Sequence, residues 1–471
     1  MYGAAFYGAY AFWLCSYSVT AFCAAVIWSA AQLSVTFLLC SLACRIFPRA
    51  RFYVMALVWC VHEFFKSRGF LAFSYGITGY TQWTVLPLLR NACWGGVWCL
   101  SALCALSCAC AADFISVLMH RKSADARGGF LRVTAAFAVW ISLLVSMCVW
   151  AILRPASGIK GKPVTVLAVQ NNTDSNKYGV DVYKRDVAVL MALTADALAE
   201  NPGVDFVVWP ETAVVPPLMM SWRGGRDPER RALVEDVLDF IDSSGACFII
   251  GNQHTVPGTG DFNAALVFDP KKGNVLPPDP EVYAKRHLVP FTEYFPWGHV
   301  FPRFYKMLLN GETRLWEPGD SASVMSGRGV RFSAPICFED TFGEDCAEFV
   351  RGGAQVLFNL TNDSWSQSRV CQAQHLSMAV FRAAENNVPL VRSTASGITC
   401  IVDSDGKILA EAPQFARASL VGTVIVSEDS RPSFYTRHGD WLPICETVLL
   451  LSVCIAKIAA NGVKYAHGKR E

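Results

Sequence analysis

The chain has 471 residues, 53% of them hydrophobic and 17% charged, with a formal net charge of +2. Such a length allows more than one domain, and the composition is too apolar for a wholly soluble protein. Near-neutral charge gives no concentrated basic surface, which argues against nucleic acid as a partner.

The apolar residues come in blocks. No residue from Met1 to Cys44 is charged. As helix this run would extend roughly 65 Å, about twice the ~30 Å hydrocarbon thickness of a bilayer. It therefore reads as two spans, or as one span plus a re-entrant piece. Phe52–Phe65 is a shorter candidate, and Asn91–Met119 is long enough to cross, interrupted by Asp113. Val133–Leu153 is a clean span, and Trp441–Ala456 is a last one, polar at Glu446. A secretory signal is not expected, because no basic segment precedes the first apolar run. The expected organisation is a membrane region over residues 1–156 with about five spans, an outer domain over 160–435, a membrane helix over 441–461 and a basic tail over 462–471.

Basic residues orient these spans. Arg45, Arg49 and Arg51 fall in one short loop, and His120, Arg121, Lys122, Arg127 and Arg132 in another. The positive-inside rule places both in the cytoplasm. The region from about Lys160 to His438 then lies outside, and the last span returns to Lys464, Lys469 and Arg470. Lys66, Arg68 and Arg90 fall on the outer side, against the trend.

From Pro163 to about Val426 short β-rich runs alternate with helical periodicity. Strands are expected at 164–170, 206–211, 247–253, 264–269, 331–339, 354–360 and 398–411, the last folded at Asp405-Gly406 as a hairpin. Helices are expected at 182–200 and 230–245. Strands packed between helices give an α/β or α+β sandwich. Of eighteen cysteines, eleven precede Trp150 and behave as small apolar residues in the spans. Five lie in the outer region, so one at least is a free thiol if the others pair. No CxxC or His-rich spacing points to a metal.

Three residues of the outer region form a chemical set. Glu211 lies in VVWPET, Lys285 in YAKRHLVPFTEYFP and Cys337 in SAPICFED, each at or just beyond a β-run. A thiol nucleophile needs a base for its proton and a cation for the oxyanion it creates. Cys337 is the candidate nucleophile, Glu211 the base and Lys285 the oxyanion partner. Each alone has a plain reading: a core thiol, a strand-end carboxylate, a surface lysine. Glu293, eight residues after Lys285, either holds that lysine charged or forms a surface ion pair.

Glu, Lys and Cys in this order, near WPE and ICFE, resemble the nitrilase superfamily, whose members form covalent thioesters. The stretches YAKRHLVPFTEYFP, NLTNDSW (359–365) and QHLSMAVFRAAENNVPLVRSTASGIT (374–399), with the flanking spans, are similar to the apolipoprotein N-acyltransferase family. The resemblance implies an α-β-β-α sandwich on the periplasmic side of a bacterial inner membrane. It implies acyl transfer from a phospholipid, through a thioester on Cys337, to the α-amine of a diacylglyceryl-cysteine apolipoprotein. It casts Glu293 and Glu339 as supporting carboxylates and requires no cofactor. Apolar segments at Val214–Met220 and Phe301–Leu309 would keep water from the thioester. The sequence departs from the family at Phe338, where Tyr is usual, at Tyr178, where Trp is expected, and around Phe73–Ile77, where Phe-Pro-Trp precedes GYTQ.

Three other readings remain at this level. A membrane-tethered nitrilase-type amidase would use the same triad on small amides. A transporter with an accessory domain would carry ionisable residues along its spans. A lipoprotein-binding module would not depend on Cys337.

Overall fold

The computed structural model describes residues 1–120, 126–155, 161–174, 178–224, 227–309, 315–427 and 432–468. Arg121, Lys122, Lys160, Lys469 and Arg470 lie outside the described residues, as do the side chains of Arg127 and Lys464. The chain divides into two compact units, one made of Met1–Pro155 with His438–Glu471 and the other of Ala156–Arg437.

Among the described residues of the first unit, four helices are long and apolar enough to cross a membrane: Val19–Ile46, Val97–Met119, Gly128–Leu153 and Trp441–Ala460. The uncharged N-terminal run supplies one spanning helix, preceded by the short helices Tyr2–Tyr10 and Leu14–Tyr17. Ser18 caps the long helix by accepting from the Ala21 N–H at 3.2 Å. The run Phe52–Phe65 forms the helix Arg51–Lys66, at 16 residues shorter than the four. Asp113, the acid within Val97–Met119, is buried and paired. Arg132 donates to it at 2.8 and 3.0 Å and Tyr53 at 3.1 Å, so the span carries no isolated charge there.

The second unit holds two six-stranded sheets. The first runs in the order β12-β1-β2-β3-β4-β5. Its strands are β1 (Lys162–Gln170), β2 (Phe206–Val214), β3 (Cys247–Val256), β4 (Gly260–Phe268), β5 (Glu281–Ala284) and β12 (Ala418–Val426). The second runs β11-β10-β9-β8-β7-β6. It contains β6 (Met325–Gly327), β7 (Val330–Ser333), β8 (Val356–Thr361), β9 (Leu390–Thr394), β10 (Cys400–Val402) and β11 (Ile408–Glu411). Each sheet has three central parallel strands, β1-β2-β3 and β7-β8-β9, flanked by antiparallel neighbours.

Alternation along β2 explains the layers. Phe206 meets Phe332 of β7 and Phe358 of β8 at ring separations of 5.4 and 5.1 Å, joining the two sheets. Val207 and Trp209 face the other way, into a core with Val234, Leu238 and Ile241 of helix Pro228–Ser244 and Val187 and Leu190 of helix Val180–Glu200. Helices Gly343–Arg351 and Arg369–Asn386 pack together and cover the second sheet. The result is the α-β-β-α sandwich. Local chemistry sets the helix ends. Asp227 accepts from the Glu229 and Arg230 N–H groups, Pro228 occupies the first turn, and Gly245 closes the helix at φ +70°.

The strand expected at 331–339 is corrected. β7 stops at Ser333, and Cys337–Thr341 forms a 3-10 turn. Pro335 has no N–H for the ladder. The Ile336 N–H turns instead to the Glu339 carboxylate at 2.7 Å. Strands β5, β6, β9 and β12 and helices Gly343–Arg351 and Arg369–Asn386 were not anticipated. All eighteen cysteines are free thiols, the five of this unit included.

Candidate active site

Glu211 stands on β2 with its backbone close against β3. A Cβ at Gly251 would meet the Pro210 carbonyl oxygen at 2.4 Å and Glu211 Cα at 2.6 Å, so only glycine fits behind the carboxylate. The side chain is 6% exposed rather than facing water. Its Oε1 accepts from Asn263 Nδ2 at 2.8 Å and Lys285 Nζ at 3.3 Å. Its Oε2 accepts the backbone N–H of Asn362 at 3.0 Å.

Lys285 directly follows β5 and is held in line by its own N–H, which donates to the Asn263 carbonyl at 2.8 Å. The ammonium is 1% exposed and donates to Glu293 at 2.9 Å as well as to Glu211. Glu293 is fixed in turn by the Val289 N–H at 2.7 Å. Burial pulls the Lys285 ammonium down, but Glu293, then Glu211 and Cys337, outweigh it and hold it above its ordinary value. Lys285 is thus a fixed cation between two carboxylates, and the Glu293 pair is not a surface one.

Cys337 opens the 3-10 turn at φ +50°, a left-handed backbone that a side chain rarely adopts. Ile336 bridges Leu360 of β8, and the Leu360 N–H donates to the Pro335 carbonyl at 3.2 Å. Glu339 locks the turn. Its Oε2 accepts from Ile336, while Oε1 accepts from Tyr283 Oη at 2.6 Å and the N–H groups of Arg286 and His287 at 2.7 and 3.2 Å. One carboxylate therefore ties the Cys337 turn to the segment that carries Lys285. Burial pushes the Cys337 thiol well above its ordinary value, the Glu211 charge adds to this, and Lys285 opposes it. A resting thiol beside a carboxylate and a cation is the state from which base-assisted attack starts.

Beneath the turn lies a buried charge cluster that sequence reasoning missed. His375 contacts Asp340 through Nε2 and Asp363 through Nδ1, both at 2.8 Å. Arg392 pairs with Asp340, with Asp363 at 3.0 Å and with Asn359 Oδ1 at 2.6 Å. Asp340 belongs to the Cys337–Thr341 turn, and Asp363 adjoins Asn362, the donor to Glu211. All four residues lay inside segments already singled out, but nothing in their spacing showed that they converge. Tyr178 is exposed. Among the described residues no group of His, Cys, Asp and Glu is arranged to hold a metal.

Residues 166–429 match the carbon-nitrogen hydrolase family, and residues 1–110 match the apolipoprotein N-acyltransferase N-terminal domain. The chain is 36% identical over 440 residues to apolipoprotein N-acyltransferase 1 of Treponema denticola, covering 89% of this chain and 80% of that one. It is 41% identical over 418 residues to apolipoprotein N-acyltransferase 1 of Treponema pallidum, covering 86% and 76% respectively. Among solved structures, the carbon-nitrogen hydrolase from Helicobacter pylori G27 aligns at 16% identity with a TM-score of 0.40, covering 56% of this chain and 89% of that one.

Proposed function

The chain belongs to the apolipoprotein N-acyltransferase family, and we propose that it moves an acyl chain from a membrane phospholipid to the N-terminal α-amine of a diacylglyceryl-cysteine apolipoprotein. The observation that carries the chemistry is the buried Glu211–Lys285 pair, whose charges bear on the Cys337 thiol.

In the first step Glu211 takes the Cys337 proton and Sγ bonds to the ester carbonyl carbon. The Lys285 ammonium faces the oxyanion that forms. The C–O bond then breaks, Glu211 returns the proton to the departing oxygen, and a lysophospholipid leaves. The acyl group is now a thioester on Cys337. In the second step the acceptor α-amine attacks the thioester carbonyl, the C–N bond forms and the C–S bond breaks. Glu211 receives the amine's proton and passes it to the departing Cys337 sulfur, restoring the thiol and the carboxylate. Glu293 keeps Lys285 charged, and Glu339 keeps the turn and the lysine segment in register.

The four apolar helices support delivery of both lipid substrates within one membrane. The excess of Lys and Arg in two short loops supports a bacterial inner membrane with the catalytic unit on the periplasmic side. The test is to incubate purified protein with phospholipid and a synthetic diacylated lipopeptide. The lipopeptide should gain the mass of one acyl chain, with no ammonia released from simple amides. Ammonia release without phospholipid consumption would replace this reading with an amidase.

A further inference from the structure

A second concentration of polar atoms lies at the end of β1. Asn171 follows the strand and is 0% exposed, yet neither Oδ1 nor Nδ2 has a partner among the described residues. Thr173 Oγ1, Gln372 Oε1 and Ser396 Oγ are buried and unpaired in the same way. Buried polar groups are costly when unbonded, and a primary amide with both ends free is the costliest of these.

These residues are neighbours, and they adjoin the proposed base. The Asn172 N–H donates to the Ala395 carbonyl at 2.6 Å, and the Ala395 N–H to the Thr361 carbonyl at 3.0 Å. The next residue, Asn362, supplies the N–H bound to Glu211. Gln372 Nε2 donates to the Ser396 carbonyl at 3.4 Å. Strand register agrees. β1 and β2 pair in parallel as far as Ala168 and Val208, and Asn171 and Glu211 each stand three residues further on. Beyond the carboxyl ends of parallel strands is where ligands of α/β sheets gather.

We propose that Asn171, with Gln372 and Ser396, forms a subsite for the peptide backbone of the acceptor, binding the first peptide group after the residue that is acylated. The proposal rests on the acyl-transfer reading above. Donor and acceptor chemistry favours a peptide over the phospholipid. Asn171 Oδ1 and Gln372 Oε1 only accept, Asn171 Nδ2 and the two hydroxyls can donate, and none of the four residues is cationic. Phosphodiester and ester oxygens only accept, so they would leave both amide oxygens unanswered. A peptide group presents N–H and C=O together, which a primary amide answers with Oδ1 and Nδ2.

The test uses the full-length protein in detergent and separates the two half-reactions. Cys337 is first loaded from phospholipid, then mixed with a diacylated lipopeptide or with an analogue whose first peptide N–H is replaced by an ester oxygen. Asn171→Ala and the isosteric Asn171→Asp should load at the wild-type rate. Each should raise KM for the lipopeptide about tenfold, with kcat little changed, and should lose the wild-type preference for amide over ester. Unchanged KM and preference would overturn the subsite. Loading slowed as much as transfer would also overturn it, by giving Asn171 a structural or donor-side role. Failure of the wild type itself to load or transfer would remove the acyl-transfer reading, and with it this one.

Discussion

The Glu211 carboxylate accepts the backbone N–H of Asn362 at 3.0 Å, joining β2 of one sheet to the loop after β8 of the other. With Oε2 held there and Oε1 shared by Asn263 and Lys285, the carboxylate is fixed in one orientation. The proposed base is thus placed by both halves of the sandwich, and its replacement should affect chemistry and resting reactivity differently.

Glu211→Gln keeps a side chain of the same shape but cannot take a proton. Thioester formation should fall roughly a hundred- to ten-thousand-fold, the range general-base catalysis contributes. Resting alkylation of Cys337 by iodoacetamide should instead become faster, because Glu211 is one of the charges that raise the thiol. Parallel loss of both rates, in protein that still unfolds cooperatively, would contradict the assignment.

Lys285→Met should remove activity and destabilise the unit. It leaves Glu211 and Glu293 buried without their cation, at a cost of about 3–5 kcal/mol. Adding Glu293→Gln should recover part of the stability and none of the activity. Chemical unfolding of the single and double variants in detergent measures the stability, and acyl transfer to a lipopeptide the activity. Additive destabilisation would mean that the two residues do not couple.

Glu339→Gln retains two acceptor sites at most where the carboxylate serves four donors. The turn should loosen against the lysine segment, lowering kcat for loading about ten- to a hundredfold with little change in phospholipid KM. A change confined to KM would place Glu339 in substrate binding instead.

His375 makes stability depend on pH. Burial alone would lower its imidazole, but Asp340 and Asp363 raise it from 6.5 to about 9, with Arg392 the opposing charge in the cluster. A folded state that binds this proton more tightly gains stability that is fully present below pH 6.5 and is lost as pH rises through about 9. The thermal midpoint should therefore fall from pH 6.5 to 9, and His375→Gln should flatten the decline. A midpoint constant over that window in the wild type would contradict the charged cluster.

Sequence made the apolar blocks and most strands readable because their periods are strong and local. Helix Pro228–Ser244 is expected at 230–245 from its periodicity, and the structure adds the ends set by Asp227, Pro228 and Gly245. The strand placed over 331–339 failed because its apolar run continues past Pro335, while a carboxylate three residues on captures the Ile336 N–H. Glu211, Lys285 and Cys337 were proposed from motif and order alone, and in the structure Lys285 donates to Glu211 at 3.3 Å. The partners Asn263, Asn362, Tyr283 and His375 were not, since each reaches the site across long stretches of sequence. The pairing of Asn362 with Glu211 spans 151 residues and follows only from how the two sheets stack.

The most direct test of the account is intact-mass spectrometry of the purified protein after incubation with phospholipid. One acyl adduct is expected, mapped to Cys337, absent in Cys337→Ala and discharged by a diacylated lipopeptide with a free α-amine. No adduct on folded wild-type protein, or an adduct that persists in Cys337→Ala, would contradict it.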